Sequence, residues 1–212
     1  MKEIEKLNLS TKNIAILASG SGTNAQAIIE ACESGEINGS VKIIVSNNKK
    51  AYVLERGKKH GIETMVELDF LKIEEKFKAL EIDLIVLAGY LKILPLEFIG
   101  SFENRIINIH PSLLPAFCGK DYYGERVHKA AIDRGVKYSG ATTHFVNEIP
   151  DGGPIIFQEV VEVRQEDDYK SLGARVLTYE HPLLVKTCKY FCDELLKVEG
   201  LKVSLKEEKC ER

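Results

Sequence analysis

Apolar residues along the chain fall into two spacings, short unbroken runs and stretches recurring every three to four residues, which predict strands and helices in turn. The runs Asn13–Ala18, Val41–Val45, Ile62–Glu67, Asp83–Gly89 and Arg105–His110 are short and rich in branched residues. Unbroken apolar strands are expected where helices cover both faces of a parallel sheet. Between them, Ala25–Cys32, Ala51–His60 and Phe70–Leu80 have helical periodicity, and Gly61 is placed to end the second helix. Further on, the pattern predicts a helix over Glu125–Arg134 and strands over Ser139–Val146 and Ile155–Val163. Tyr169–Val198 reads as a helical stretch that Pro182 must start, kink or divide. This alternation predicts a single α/β domain, 13–200, with a mostly parallel sheet and helices on both faces. It is preceded by a charged lead-in, 1–12, and followed by a charged tail, 201–212.

Polar residues that interrupt this pattern mark candidate chemistry. In Arg105–Pro115, Asn108 and His110 share one face of a strand because strand side chains alternate. Pro111 lacks a backbone donor and ends the strand, so the pair stands at its carboxyl end, where open parallel sheets bind ligands. The turn Ser19-Gly-Ser-Gly-Thr-Asn24 leads from strand to helix. Such a turn suits a phosphate, since free N–H groups and the positive end of a helix meet there. It equally suits a plain βα turn in which Thr23 or Asn24 caps the helix. It lacks the third glycine of a dinucleotide fingerprint and the Gly-Lys-Ser/Thr of a nucleotide P-loop, so a monophosphate fits better. Asp151 sits at the tip of Pro150-Asp-Gly-Gly-Pro154, where making the turn is a sufficient role for it. The glycines of Phe117–Gly124 leave open whether that loop is a lid or a passive connection.

Composition narrows the class. A chain of 212 residues with 44% hydrophobic and 29% charged residues is typical of a globular protein with a sizeable core. A net charge of −3 excludes a general nucleic-acid or anionic-membrane binder while allowing a local anion pocket. With no apolar run of membrane-spanning length and a charged N-terminus, the expected location is the cytoplasm. Five scattered cysteines suit reduced thiols, and Cys188 and Cys192, one turn apart, suit helix packing better than metal binding.

The segments Ser19–Asn24, Leu87-Ala-Gly-Tyr90, Asn108-Ile-His-Pro-Ser-Leu-Leu-Pro115 and His144–Pro154 occur in the order found in the phosphoribosylglycinamide formyltransferases, which the chain resembles from about Asn13 to Val198. The resemblance implies a Rossmann-like formyltransferase fold. It also implies 10-formyltetrahydrofolate as formyl donor, glycinamide ribonucleotide as acceptor, and no metal. Asn108, His110 and Asp151 are the implied catalytic residues. Asn108 would stabilise the oxyanion and His110 would move protons. Asp151 would orient His110 and raise its pKa. Phosphate contacts fall to Gly22, Thr23 and Asn24, and the ribose hydroxyls to Glu180. An apolar pterin slot falls to Leu91, Lys92, Ile93 and Leu94, and its polar edge to the backbone of Asn147, Glu148, Ile149, Pro150 and Asp151. His144 either supports the site or is a packed structural residue, and His60 and His128 are expected on surface-like helices.

Two departures stand out. The segment between Val66 and Asp83 is shorter than in well-known relatives and has no arginine for the folate tail, and Gly119–Gly124 is longer than in some members. Formyltetrahydrofolate hydrolase and methionyl-tRNA formyltransferase share the Asn-His-Asp chemistry. They normally carry an extra regulatory or RNA-binding domain for which the chain has no room. A noncatalytic nucleotide-binding module would explain the glycine turn but not the three polar residues. The expected assembly is a monomer or homodimer acting on small molecules, without nucleic acid or membrane.

Overall fold

The computed structural model describes residues 10–206. The elements run β1 (Lys12–Leu17), α1 (Thr23–Glu33), β2 (Gly39–Ser46), α2 (Val53–Lys59), β3 (Glu63–Val66), α3 (Phe70–Ala79), β4 (Leu84–Leu87), α4 (Leu96–Ser101) and β5 (Ile106–His110). They continue through α5 (Glu125–Arg134), β6 (Tyr138–Phe145), β7 (Ile155–Glu162), α6 (Tyr169–Cys192), β8 (Leu196–Glu199) and β9 (Lys202–Leu205). The described strands form one sheet in the order β3-β2-β1-β4-β5-β6-β7-β9-β8. From β3 to β5 all pairings are parallel, whereas β5–β6, β6–β7 and β8–β9 are antiparallel. The expected α/β architecture, mostly parallel with helices on both faces, is what forms.

Strand alternation sets the two cores. In β1, Ile14 and Ile16 face α1, α2 and α6, while Ala15 and Leu17 face α3 and α4. On the second face, Phe77, Phe98 and Phe102 pack ring against ring with centroids 5.1 to 6.2 Å apart. Burying a side chain of this size contributes on the order of 2 kcal/mol. Helix starts are capped where the sequence offers a carboxylate: Asp69 accepts from Leu71 N–H, and Asp168 forms a reciprocal capping box with Ser171.

The C-terminal region departs from the periodicity reading. Pro182 lies inside one continuous helix that it neither starts nor divides. That helix ends at Cys192 instead of Val198, because Asp193 and Glu194 turn the chain, Glu194 with φ +55°. Leu196, Val198 and Val203 then alternate onto the core as the hairpin β8–β9, so Lys202–Leu205 is sheet and not free tail. Residues 207–212 of the tail, Cys210 among them, and residues 1–9 of the lead-in lie outside the described residues, while Lys12 already belongs to β1. The short α4 spans too few residues to show a period. Cys188 and Cys192 are free thiols buried in the core. No described helix is long and apolar enough to cross a membrane.

Candidate active site

Strand order reverses around β1, which lies between β2 and β4, and the parallel pairing puts the carboxyl ends of β1, β4 and β5 at one edge of the sheet, where such folds bind ligands. The turns leaving β1 and β4 are tied together. Ser19 N–H donates to Gly89 O (3.1 Å), and Leu91 N–H donates to Ser19 Oγ (3.0 Å). The glycine turn and the expected pterin slot are thus fixed relative to each other by one serine.

Asn108, His110, His144 and Asp151 meet at the end of β5. Asn108 pairs directly with His144 across the antiparallel β5–β6 register. His144 Nδ1 contacts the Phe145 carbonyl (2.8 Å), which can only accept, so Nδ1 carries the proton and Nε2 is left as an acceptor. Asn108 Nδ2 donates to that Nε2 (3.1 Å) and makes a longer contact with Asp151 Oδ1 (3.5 Å). His110 is 4% exposed. Its Nε2 donates to Phe117 O (2.9 Å), and its Nδ1 stands 3.6 Å from Asp151 Oδ2.

Asp151 reaches this position through the turn that precedes β7. It adopts φ +55°, a conformation that aspartate tolerates better than most residues. Gly153 behind it must lack a side chain, since a Cβ there would stand 1.9 Å from Phe145 O. Gly119 N–H donates to Asp151 Oδ2 (2.9 Å), so the loop after β5 contacts both members of the pair.

Electrostatics here differ from the sequence expectation. Burial pushes His110 down, and this outweighs the upward pull of Asp151 and the Phe117 carbonyl, so its pKa is lowered and not raised. Burial pushes Asp151 up, but His144, His110 and the Gly119 N–H together bring it below the ordinary carboxylate value. At neutral pH the pair is therefore neutral imidazole beside ionised carboxylate.

At the glycine turn, Gly22 is the N-cap of α1 with φ +73° and offers no side-chain cap. The first helical bond runs from Gln26 N–H to Gly22 O (2.9 Å), which releases the N–H groups of Thr23, Asn24 and Ala25. No acidic residue occupies the first turn, so nothing on α1 offsets its positive end. Asn24 Nδ2 donates to Glu180 Oε2 (2.8 Å), joining the turn to α6. Glu180 is 8% exposed, and burial raises its pKa against the opposing pull of Asn24. Asn24 Oδ1 is buried without a hydrogen-bond partner among the described residues.

The folate residues are placed less uniformly. Leu91 and Ile93 are 60% and 78% exposed and Lys92 is also exposed, whereas Leu94 is buried in the second core with Tyr90 and Phe98. Only the first three therefore present side chains to solvent. Asn147 Oδ1 accepts from Ile149 N–H (3.0 Å) and its Nδ2 donates to Gly152 O (3.3 Å), which shapes a turn with Glu148, Ile149 and Pro150 outside.

Several participants were hidden from sequence reasoning. Phe117 O and Gly119 N–H act through the backbone, which no side-chain pattern reveals. Thr142 Oγ1 donates to Ser112 O (2.7 Å) and accepts from Leu114 N–H (3.1 Å), holding the turn that follows His110. His128 is not on a surface face. It is 7% exposed and packs so closely on α6 that a Cβ on Gly173 would meet its ring at 2.8 Å. His60 is half-buried and meets Glu33 at 2.7 Å.

An Asn-His-Asp group with a buried histidine at the end of a parallel strand, beside an uncapped glycine turn, defines a class that comparison with known proteins agrees with. The sequence profile described as formyl transferase matches residues 12–188, and the chain belongs to that family. Within it, the chain is 38% identical over 195 residues to the phosphoribosylglycinamide formyltransferase of Escherichia coli (strain K12), covering 88% of this chain and 90% of that one. It is 40% identical to the chloroplastic phosphoribosylglycinamide formyltransferase of Vigna unguiculata, covering 89% of this chain but 64% of the relative's length. The crystal structure of glycinamide ribonucleotide transformylase 1 from Symbiobacterium toebii superimposes with a TM-score of 0.89 at 35% identity, covering 96% of this chain and 100% of that one.

Proposed function

We propose that the chain transfers the formyl group of 10-formyltetrahydrofolate to the amine of glycinamide ribonucleotide, a step of de novo purine biosynthesis in the cytoplasm. The folded unit, from β1 to β9, acts as a monomer or homodimer on these two small molecules, without nucleic acid. The observation that carries this reading is the convergence of Asn108, His110 and Asp151 beside the uncapped start of α1.

The amine nitrogen attacks the formyl carbon, and the carbonyl electron pair moves onto oxygen. Asn108 stabilises that oxyanion with the N–H whose contact to Asp151 is long, 3.5 Å, and so the easier of its two to redirect. Two acceptors face each other across the 3.6 Å between His110 Nδ1 and Asp151 Oδ2, a gap suited to a proton donor. The amine approaches from beside the pair and passes its proton to Nδ1, where Asp151 stabilises the imidazolium and Phe117 O fixes the ring. The carbon–N10 bond then breaks, its electron pair returns to the folate nitrogen, and His110 supplies the proton. Formylated ribonucleotide and tetrahydrofolate result.

The phosphate is held by N–H groups of Gly22, Thr23 and Asn24 at the start of α1. Glu180 and the unpartnered Asn24 Oδ1 accept from the ribose hydroxyls. The folate enters over Leu91, Lys92 and Ile93, with Leu94 behind them in the core and Asn147, Glu148, Ile149 and Pro150 at its polar edge. His144 holds Asn108 in place.

An assay of purified protein with 10-formyltetrahydrofolate and, in turn, glycinamide ribonucleotide, water and initiator tRNA tests this. Formyl transfer to the ribonucleotide is expected, without added metal or nucleotide. Activity only toward water or tRNA contradicts the reading.

A further inference from the structure

Helix α2 supplies none of the residues assigned above, yet three of its contacts converge on the glycine turn. Val53 N–H donates to Gly20 O (3.2 Å), and Arg56 Nε donates to Ser21 O (2.8 Å). The Val53 side chain fills the space beside Gly22, where a Cβ would come within 2.5 Å of its Cγ2. In a trans peptide the carbonyl and the following N–H point in opposite directions. Holding the Gly20 and Ser21 carbonyls on α2 therefore turns the N–H groups of Ser21 and Gly22 away from α2, into the open side of the turn.

Arg56 is itself held from two directions. Its Nη1 donates to Gln26 Oε1 (3.0 Å), Gln26 Nε2 donates to Glu30 Oε1 (2.9 Å), and the guanidinium lies 5.1 Å from the Tyr52 ring centroid. No ion pair engages Arg56 among the described residues, and its Nη2 makes no hydrogen bond there. A half-buried guanidinium thus stands next to the positive end of a helix that has neither an acidic first turn nor a side-chain cap. The chain as a whole is acidic, with a net charge of −3. The nearby carboxylates, Glu180 and Glu30, are bonded to Asn24 and Gln26 and neither pairs with Arg56, so the guanidinium and the helix start leave positive potential that favours an anion.

We propose that Arg56 is a positioning residue for the phosphate of the ribonucleotide: it sets the peptide planes of the turn and adds its charge to the potential that draws the phosphate in. This rests on the ribonucleotide reading of the turn. It concerns an element outside the Asn-His-Asp group, so its signature is in substrate affinity and not in the chemical step.

The test compares the parent with Arg56→Met and Arg56→Lys. It measures kcat, the KM of each substrate, and calorimetric binding of ribose 5-phosphate and inorganic phosphate. Arg56→Met is expected to raise KM for the ribonucleotide and Kd for ribose 5-phosphate by about tenfold or more, with kcat and the folate KM within about twofold. Arg56→Lys keeps the charge but loses the fork and falls between the two. A ribonucleotide KM unchanged in both variants overturns the proposal. So does a uniform loss of kcat and both affinities with a lowered Tm, which marks a purely structural residue. Should Arg56→Met fail to fold, Arg56→Lys and Gln26→Ala, which frees Nη1, decide by the same affinities. If the parent binds ribose 5-phosphate in an Arg56-dependent way yet does not formylate glycinamide ribonucleotide, the functional reading fails and the role of Arg56 stands. If the parent formylates the ribonucleotide and Arg56 variants match it, only Arg56 fails.

Discussion

At the proposed ribonucleotide half of the site, the carbonyls of Gly20 and Ser21, the Asn24 amide nitrogen and the Glu180 carboxylate all find partners within 3.2 Å, on three different helices. At the proposed folate half, Leu91 and Ile93 stand mostly in solvent, and the turn over Asn147–Pro150 is held mainly by its own residues. The contrast is physical. A compact, doubly charged phosphate and its ribose are recognised by groups that must be fixed in advance, because each misplaced donor loses most of a charged hydrogen bond. A flat apolar ring is recognised by area, and exposed leucine and isoleucine side chains can supply that by closing over it.

Between the halves lies the Asn-His-Asp group, and substitutions there give the largest expected effects. Asn108→Ala removes the proposed oxyanion donor and should lower kcat by roughly a hundredfold to a thousandfold. His110→Ala should lower it by a similar or larger factor of about a hundred to ten thousand. Rapid-quench turnover read beside thermal unfolding checks both, and a kcat within a few fold of the parent for either would remove that residue from the chemistry.

Next in size comes Glu180, where the fixed half can be broken alone. Glu180→Gln should raise the ribonucleotide KM about tenfold while leaving the folate KM unchanged. Burial raises the Glu180 pKa, so in the parent the carboxylate proposed to accept from ribose is lost at a higher pH than for an ordinary glutamate. The ribonucleotide KM should therefore climb as pH falls toward the carboxylate range, and the variant should lack that climb. Equal climbs in both would assign the effect elsewhere.

The open half sharpens the contrast in the opposite sense. Ile93→Ser should weaken folate binding by only a few fold, about the value of partial apolar burial, with Tm unchanged because the side chain is already exposed. A lowered Tm would show that this residue is packed and not waiting for ligand.

The smallest effect concerns acid stability. Burial lowers the pKa of both His110 and His128, so the unfolded chain takes up protons before the folded one does. Their stabilising contribution is present above the unfolded histidine value of about 6.5 and is lost as pH falls below it toward the folded values. Urea midpoints between pH 7.5 and 5.5 should show the decline, and His128→Gln should flatten part of it. A midpoint that rises on acidification would contradict the direction of both shifts.

The parts of this molecule legible in the sequence are those whose cause is local. Ile106–His110 announces a buried strand by its own branched residues, and Pro111 announces its end. The glycine turn is legible because positive φ at Gly22 and the start of α1 are both written within a few residues. His128 was not legible, since its burial is decided by Gly173, a small residue on a distant helix that lets the ring approach. The direction of the His110 shift was missed for a related reason. Sequence shows that Asp151 is available but not that the ring is enclosed, and enclosure wins. β8 and β9 were read as helix end and tail because four-residue strands with charged outward positions have no period strong enough to compete with the long helix before them.

The central claim is that a neutral His110, set against an ionised Asp151, moves the proton. It is tested most directly by the pH dependence of kcat/KM for formyl transfer in the parent and in Asp151→Asn. The parent should lose activity on the acid side only below about pH 6.5, the ordinary histidine value, because His110 is held lower than that. Removing the carboxylate charge removes an upward pull on His110, so in Asp151→Asn that limb should move further to acid while the plateau falls sharply. An unchanged limb and plateau in the folded variant would contradict the account.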